Sequence, residues 1–202
     1  MKQALWLACA LWLAACGGAP SPRLQPLATD AVILAFGDSL TYGSGADTGQ
    51  SYPEQLALLS GHKVINAGVP GETTSEGLQR LPKVLDEVQP QLVILCLGGN
   101  DFLRKHAPAV TRSNLTAMIT TVQRRHIPLV LLAVPQPTLM VSTDPLYAEL
   151  AKRYRVPLEE DVLEDVLGKR ALKSDRIHPN AAGYRLIAEA VYALLKRHGA
   201  LF

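Results

Sequence analysis

Cysteine is scarce in this sequence, with three in 202 residues, and the mature chain has no pair to cross-link. Cys9 leaves with the N-terminal leader, and Cys16, directly after it, is the expected lipidation site. Cys96 then stands alone inside an apolar run, where a buried, inert thiol is expected. No Cys/His spacing resembles a zinc site, so no metal is expected. Charge of one sign is lacking as well. The net charge is +2, falling to +1 once Lys2 leaves with the leader. Without a long basic run or a basic amphipathic helix there is no electrostatic case for a nucleic-acid partner. The apolar stretch at residues 4–15 is too short to span a bilayer. There is no Gly-x-Ser-x-Gly elbow, which argues against the α/β-hydrolase fold. Gly43-Ser44-Gly45 lacks the third glycine of a dinucleotide fingerprint, so no nucleotide cofactor is expected.

What is present begins with a targeting signal. Met1-Lys2 is a short positive region, and Ala4 to Ala15 is an apolar segment of signal-peptide length. The segment ends in Leu13-Ala14-Ala15-Cys16, which resembles a bacterial lipobox. That resemblance implies cleavage after residue 15, lipidation of Cys16 and a place in the cell envelope. With Gly17 following, it implies the outer membrane, facing the periplasm or the cell surface. A plain secretory signal ending near Ala15 is the alternative. Residues 16–30, with Gly, Ser and three prolines, read as a flexible tether, and residues 31–202 as one domain.

The domain is 48% hydrophobic and 19% charged over the whole chain, as expected of a globular protein. Apolar runs at about Val32–Phe36, Lys63–Asn66, Gln91–Leu97, Leu129–Val134 and Val156–Leu158 read as strands. Helical patterns lie between and after them: Pro53–Leu59, Thr73 or Thr74 to Val88, Pro108–His126, Asp144–Tyr154, Asp161–Leu167 and Asn180–Arg197. Val110, Leu115, Met118, Ile119 and Val122 form the expected buried stripe of the third. Pro82 is expected to kink or locally disturb the second. Strands alternating with helices predict α/β architecture, with about five parallel strands between two helical layers.

Three strand-end loops then share one sheet edge, at Gly37–Leu40, Ala67–Glu72 and Gly98–Asp101. A fourth segment, Asp175–Pro179, precedes the last helix. Gly-Asp-Ser alone is an ordinary turn. Set beside the other segments, Ser39 is a candidate nucleophile, His178 its base, and Asp175 the partner that fixes the imidazole. The Ser39 N–H, the Gly71 N–H and the Asn100 amide are candidate oxyanion donors. Val69, Phe102 and Leu103 are candidate lining for an acyl pocket. Asp38 and Asp101 read as loop organisers, and His62, His106, His126 and His198 as surface residues.

These residues carry a resemblance. Gly-Asp-Ser-Leu at 37–40, Gly71-Glu72-Thr73-Thr74, Gly98-Gly99-Asn100-Asp101 and Asp175-x-x-His178, in this order, are similar to the four blocks of the SGNH/GDSL hydrolases. The similarity covers about Val32 to Lys196. It implies a flavodoxin-like three-layer αβα sandwich and cofactor-free hydrolysis of esters or thioesters. It also implies the family's roles for Ser39, Gly71, Asn100, Asp175 and His178. Substrates implied are aryl esters, lysophospholipids or acyl thioesters. A carbohydrate or peptidoglycan O-acetylesterase on the same fold, and a non-catalytic binding lipoprotein, are the alternatives.

Overall fold

A computed structural model describes residues 22–137 and 141–202. The expected signal peptide, Cys16 and the first part of the expected tether lie outside the described residues. The chain runs β1 (Val32–Gly37), α1 (Ser39–Tyr42), α2 (Tyr52–Ser60), β2 (Lys63–Gly68), α3 (Thr74–Val88) and β3 (Leu92–Cys96). It continues with α4 (Gly99–Leu103), α5 (Pro108–Arg124), β4 (Leu129–Leu132), β5 (Pro135–Gln136) and β6 (Ser142–Thr143). It closes with α6 (Leu146–Tyr154), β7 (Leu158–Glu159), α7 (Val162–Gly168) and α8 (Ala181–Arg197).

Five strands pair in the order β2-β1-β3-β4-β7, and every pairing is parallel. Every residue of β3 and β4 is buried, because a parallel sheet covered on both faces leaves no solvent side for a polar residue. Helices α2, α7 and α8 pack together on one face, and α3, α5 and α6 on the other. The helical period sorts α8 cleanly: Tyr184, Ile187, Ala188, Val191, Leu194 and Leu195 are all buried. The order reverses between β1 and β3, and in open α/β sheets that crevice receives ligands. Ser39 follows β1 there and Asn100 follows β3.

Several expectations need correction. Val110 is exposed rather than part of the α5 stripe, whose buried members are Thr111, Leu115, Met118, Ile119 and Val122. It lies about 100° around the helix from Thr111 and so falls off the stripe. The expected fifth strand begins two residues later, at Leu158. Helix α3 continues through Pro82 as one element. Residues 135–136 do more than stop β4; they pair antiparallel with 142–143. Ser39 and Asn100 open short helices rather than sitting in loops.

The expected tether is docked from Pro22 onward. Leu24 and Leu27 donate backbone hydrogen bonds to the carbonyls of His198 and Ala200, both at 2.9 Å. Both leucines pack against the core. His198 Nδ1 lies 2.5 Å from the Pro22 carbonyl, and His62 Nε2 lies 3.1 Å from that of Ala28. A Gly/Pro/Ser-rich composition signals freedom of the isolated chain; here two leucines and the bare carbonyls at the end of α8 remove it. No helix among the described residues is long and apolar enough to cross a membrane.

Candidate active site

β1 delivers Ser39 to the carboxyl edge of the sheet and ends abruptly. Asp38 caps the next turn: its Oδ1 accepts from Leu40 N at 3.0 Å, the bond an N-capping carboxylate is suited to make. Ser39 is therefore the first residue of α1, with its N–H pointing out of the helix start and unpaired among the described residues. Gly37 leaves no room for a side chain, since a Cβ there would collide with the Cys96 carbonyl and with Thr41.

The histidine arrives from the opposite end of the sequence on a loop closed upon itself. Lys173 and Pro179 form an isolated bridge, and Ser174 N donates to the His178 carbonyl at 3.0 Å. Asp175 Oδ1 accepts from the backbone N–H groups of Ile177 and His178, each at 2.8 Å. Its Oδ2 lies 2.7 Å from His178 Nδ1. The far ring nitrogen, Nε2, lies 3.0 Å from Ser39 Oγ, 139 positions away in sequence. With the proton on Nδ1 held by Asp175, Nε2 is free to accept from the serine hydroxyl. Burial pushes the Asp175 carboxyl up, but the hydrogen bonds from His178 and Ile177 prevail and hold it below the usual carboxylate range. Tyr184 fastens the serine side of this junction, donating to the Ser44 carbonyl at 2.8 Å.

The second loop brings Gly71 alongside. Glu72 N donates to the Val69 carbonyl at 3.1 Å, closing a turn that holds Gly71 at φ +80°. That left-handed value favours glycine. The Gly71 N–H has no acceptor among the described residues. Asn100 on α4 donates from Nδ2 to the Glu72 carbonyl at 3.0 Å and to Asp38 Oδ2 at 3.3 Å. The three expected oxyanion donors thus lie on segments that hydrogen bonds join to one another. Asp101 serves the framework: its carboxylate accepts from Thr74 N at 2.8 Å and Thr74 Oγ1 at 2.6 Å.

An open depression of about 340 Å³ borders this edge, lined by Val69, Pro70, Gly71, Glu72, Glu76 and Arg104. Of the three expected lining residues, only Val69 lines it. Phe102 packs against the core, and Leu103 is 44% exposed on α4. Both residues belong to α4. A depression of about 420 Å³ around Leu85 and Ile127 lies at the opposite end of the strands and holds none of these groups. Among the described residues no cluster of His, Cys, Asp and Glu could hold a metal ion.

Two features escape a reading of the sequence. Asp38 is 1% exposed, and burial pushes its carboxyl up to about 7 against the pull of Leu40 N–H and His178. Arg80, one helical surface residue among many by sequence, reaches beneath the second loop to Glu72.

A parallel sheet with a serine, histidine and aspartate joined at its carboxyl edge has the layout of an acyl hydrolase. The chain belongs to the GDSL-like lipase/acylhydrolase family, whose model matches residues 35–186. It is a hydrolase of that family. It is 34% identical over 177 residues to the arylesterase of Vibrio mimicus, covering 82% of this chain and 88% of that one. It is 32% identical over 165 residues to thioesterase 1/protease 1/lysophospholipase L1 of Escherichia coli K12, covering 78% and 79%. The crystal structure of the psychrotrophic esterase EstA from Pseudoalteromonas sp., inhibited by monoethylphosphonate, matches with a TM-score of 0.74 at 27% identity. That match covers 83% of this chain and 98% of the esterase.

Proposed function

We propose that the protein is a serine esterase that hydrolyses acyl esters or thioesters through an acyl-enzyme. Ser39 Oγ attacks the acyl carbonyl while His178 Nε2 takes its proton. Asp175 holds the imidazole by Nδ1 and stabilises the imidazolium that forms. The oxyanion is met by the N–H groups of Ser39 and Gly71 and by the Asn100 amide. The carbonyl reforms, and His178 returns the proton to the departing alcohol or thiol. Water, deprotonated by His178, then releases the acid and restores Ser39. The carrying observation is the relay itself, 3.0 Å from Ser39 Oγ to His178 Nε2 and 2.7 Å onward to Asp175.

Substrates of this reading are aryl esters, lysophospholipids or acyl thioesters, the classes named for the two relatives. Turnover of p-nitrophenyl esters of graded chain length tests it: Ser39→Ala loses nearly all activity, and retained turnover rejects Ser39 as nucleophile. We further propose that residues 1–15 are cleaved and that Cys16 is lipidated, anchoring the enzyme in the bacterial envelope. The support is the Leu13-Ala14-Ala15-Cys16 sequence. A Cys16→Ser chain that still partitions with membranes and still takes up labelled fatty acid rejects the anchor.

A further inference from the structure

We infer that Arg80, outside the reacting groups, is a positioning residue that clamps the oxyanion loop; the inference rests on the esterase reading above. Its guanidinium holds both ends of residues 67–72. Nε donates to Glu72 Oε1 at 2.7 Å, and Nη2 donates to Glu72 Oε2 at 2.7 Å and to the Ala67 carbonyl at 2.9 Å. Its carbon centre stacks 4.1 Å from the centroid of the Phe36 ring, three residues ahead of Ser39. One planar group therefore links the end of β1, the start of the second loop and its end.

The consequence reaches two donors. Glu72 N closes the turn that presents Gly71, and the Glu72 carbonyl accepts from the Asn100 amide. Fixing Glu72 thus fixes the direction of the Gly71 N–H and the orientation of the Asn100 amide, one hydrogen of which the Glu72 carbonyl holds until an oxyanion forms. Glu72 is 5% exposed and its carboxylate meets the guanidinium bidentately. A lysine keeps the charge but has neither the second parallel bond nor the flat face for Phe36. Gly77 sustains the approach, since a Cβ there would press on Leu97 and come within 3.4 Å of Glu72 Oε2. Donors aimed at a developing oxyanion lose their effect when displaced, so the loss belongs in kcat rather than KM.

The test compares the parent, Arg80→Lys, Arg80→Ala and Ser39→Ala on p-nitrophenyl butyrate, with thermal unfolding recorded for each. Expected is a fall in kcat of about tenfold for Arg80→Lys and about a hundredfold for Arg80→Ala, the scale of a misplaced catalytic group, with KM within about twofold. Low-millimolar guanidinium or ethylguanidinium restores part of the kcat of Arg80→Ala and leaves Arg80→Lys unchanged. A folded Arg80→Ala with parental kcat, a loss confined to KM, or no response to guanidinium overturns the inference. So does failure of both variants to fold, which assigns Arg80 to stability. Turnover by Ser39→Ala instead overturns the esterase reading, whatever Arg80 does.

Discussion

Asn100 Nδ2 donates to Asp38 Oδ2 at 3.3 Å and to the Glu72 carbonyl at 3.0 Å, so both amide hydrogens are engaged beside Ser39. An oxyanion above Ser39 has to draw one of them away from a neutral carbonyl, and a full negative charge is the stronger acceptor. Asn100→Ala is expected to lower kcat by about 10²- to 10³-fold with little change in KM, the scale of losing one oxyanion donor. Steady-state kinetics on a short-chain p-nitrophenyl ester reads it, and a loss in KM alone assigns Asn100 to ground-state binding.

Asp38 predicts a pH dependence of stability. Burial raises its carboxyl from an ordinary 3.8 to about 7, so the folded protein binds this proton more tightly than the unfolded chain does. The resulting stabilisation is full below about pH 4, declines as pH rises, and is lost above about 7. Between pH 5 and pH 8 the parent is expected to lose about 3 kcal/mol relative to Asp38→Asn, which has no proton to exchange. Denaturant unfolding of both proteins at the two pH values measures the difference. Parallel pH profiles would show that Asp38 stays ionised.

Asp175 acts through the imidazole rather than on substrate. Removing it as Asp175→Ala frees the His178 ring to take the wrong tautomer and leaves the imidazolium without its partner. A fall of about a hundredfold or more in kcat is expected, from the worth of a positioned base. The backbone N–H groups of Ile177 and His178 lose their acceptor as well. Asp175→Asn, which keeps an acceptor oxygen for them, separates that loop effect from the loss of charge.

The N-terminal strap predicts a loss of stability far from the chemistry. Leu24 and Leu27 pack on the core beside α8. Leu24→Ala with Leu27→Ala is expected to cost about 2 kcal/mol, from partial burial of each side chain. That lowers Tm by about 4 to 8 °C in a domain of this size, with kcat unchanged. Calorimetry of the double variant decides; an unaltered Tm would mean the strap contributes no stability.

Local chemistry makes much of this molecule legible in its sequence. The apolar run ahead of Gly37 marks a doubly covered strand, and the 3.6-residue period of α8 marks its buried face. Asp175 and His178, three residues apart, meet because Asp175 accepts the intervening backbone N–H groups, a contact the loop makes for itself. The short helix that holds Phe102 and Leu103 is not legible in the sequence, because five residues after β3 carry too little periodicity to mark it. Residues 22–30 misled as a tether because two leucines find the end of α8.

The order of blocks and strands is enough to name a candidate serine, histidine and aspartate, because each candidate follows from a strand end or a short loop. Only the packed molecule brings Ser39 Oγ to His178 Nε2 across 139 positions, raises the proton affinity of Asp38 and seats Arg80 under Glu72. These depend on which distant segments exclude water from a polar group and which supply its partner. That is a property of the three-dimensional neighbourhood, and no single stretch of chain contains it.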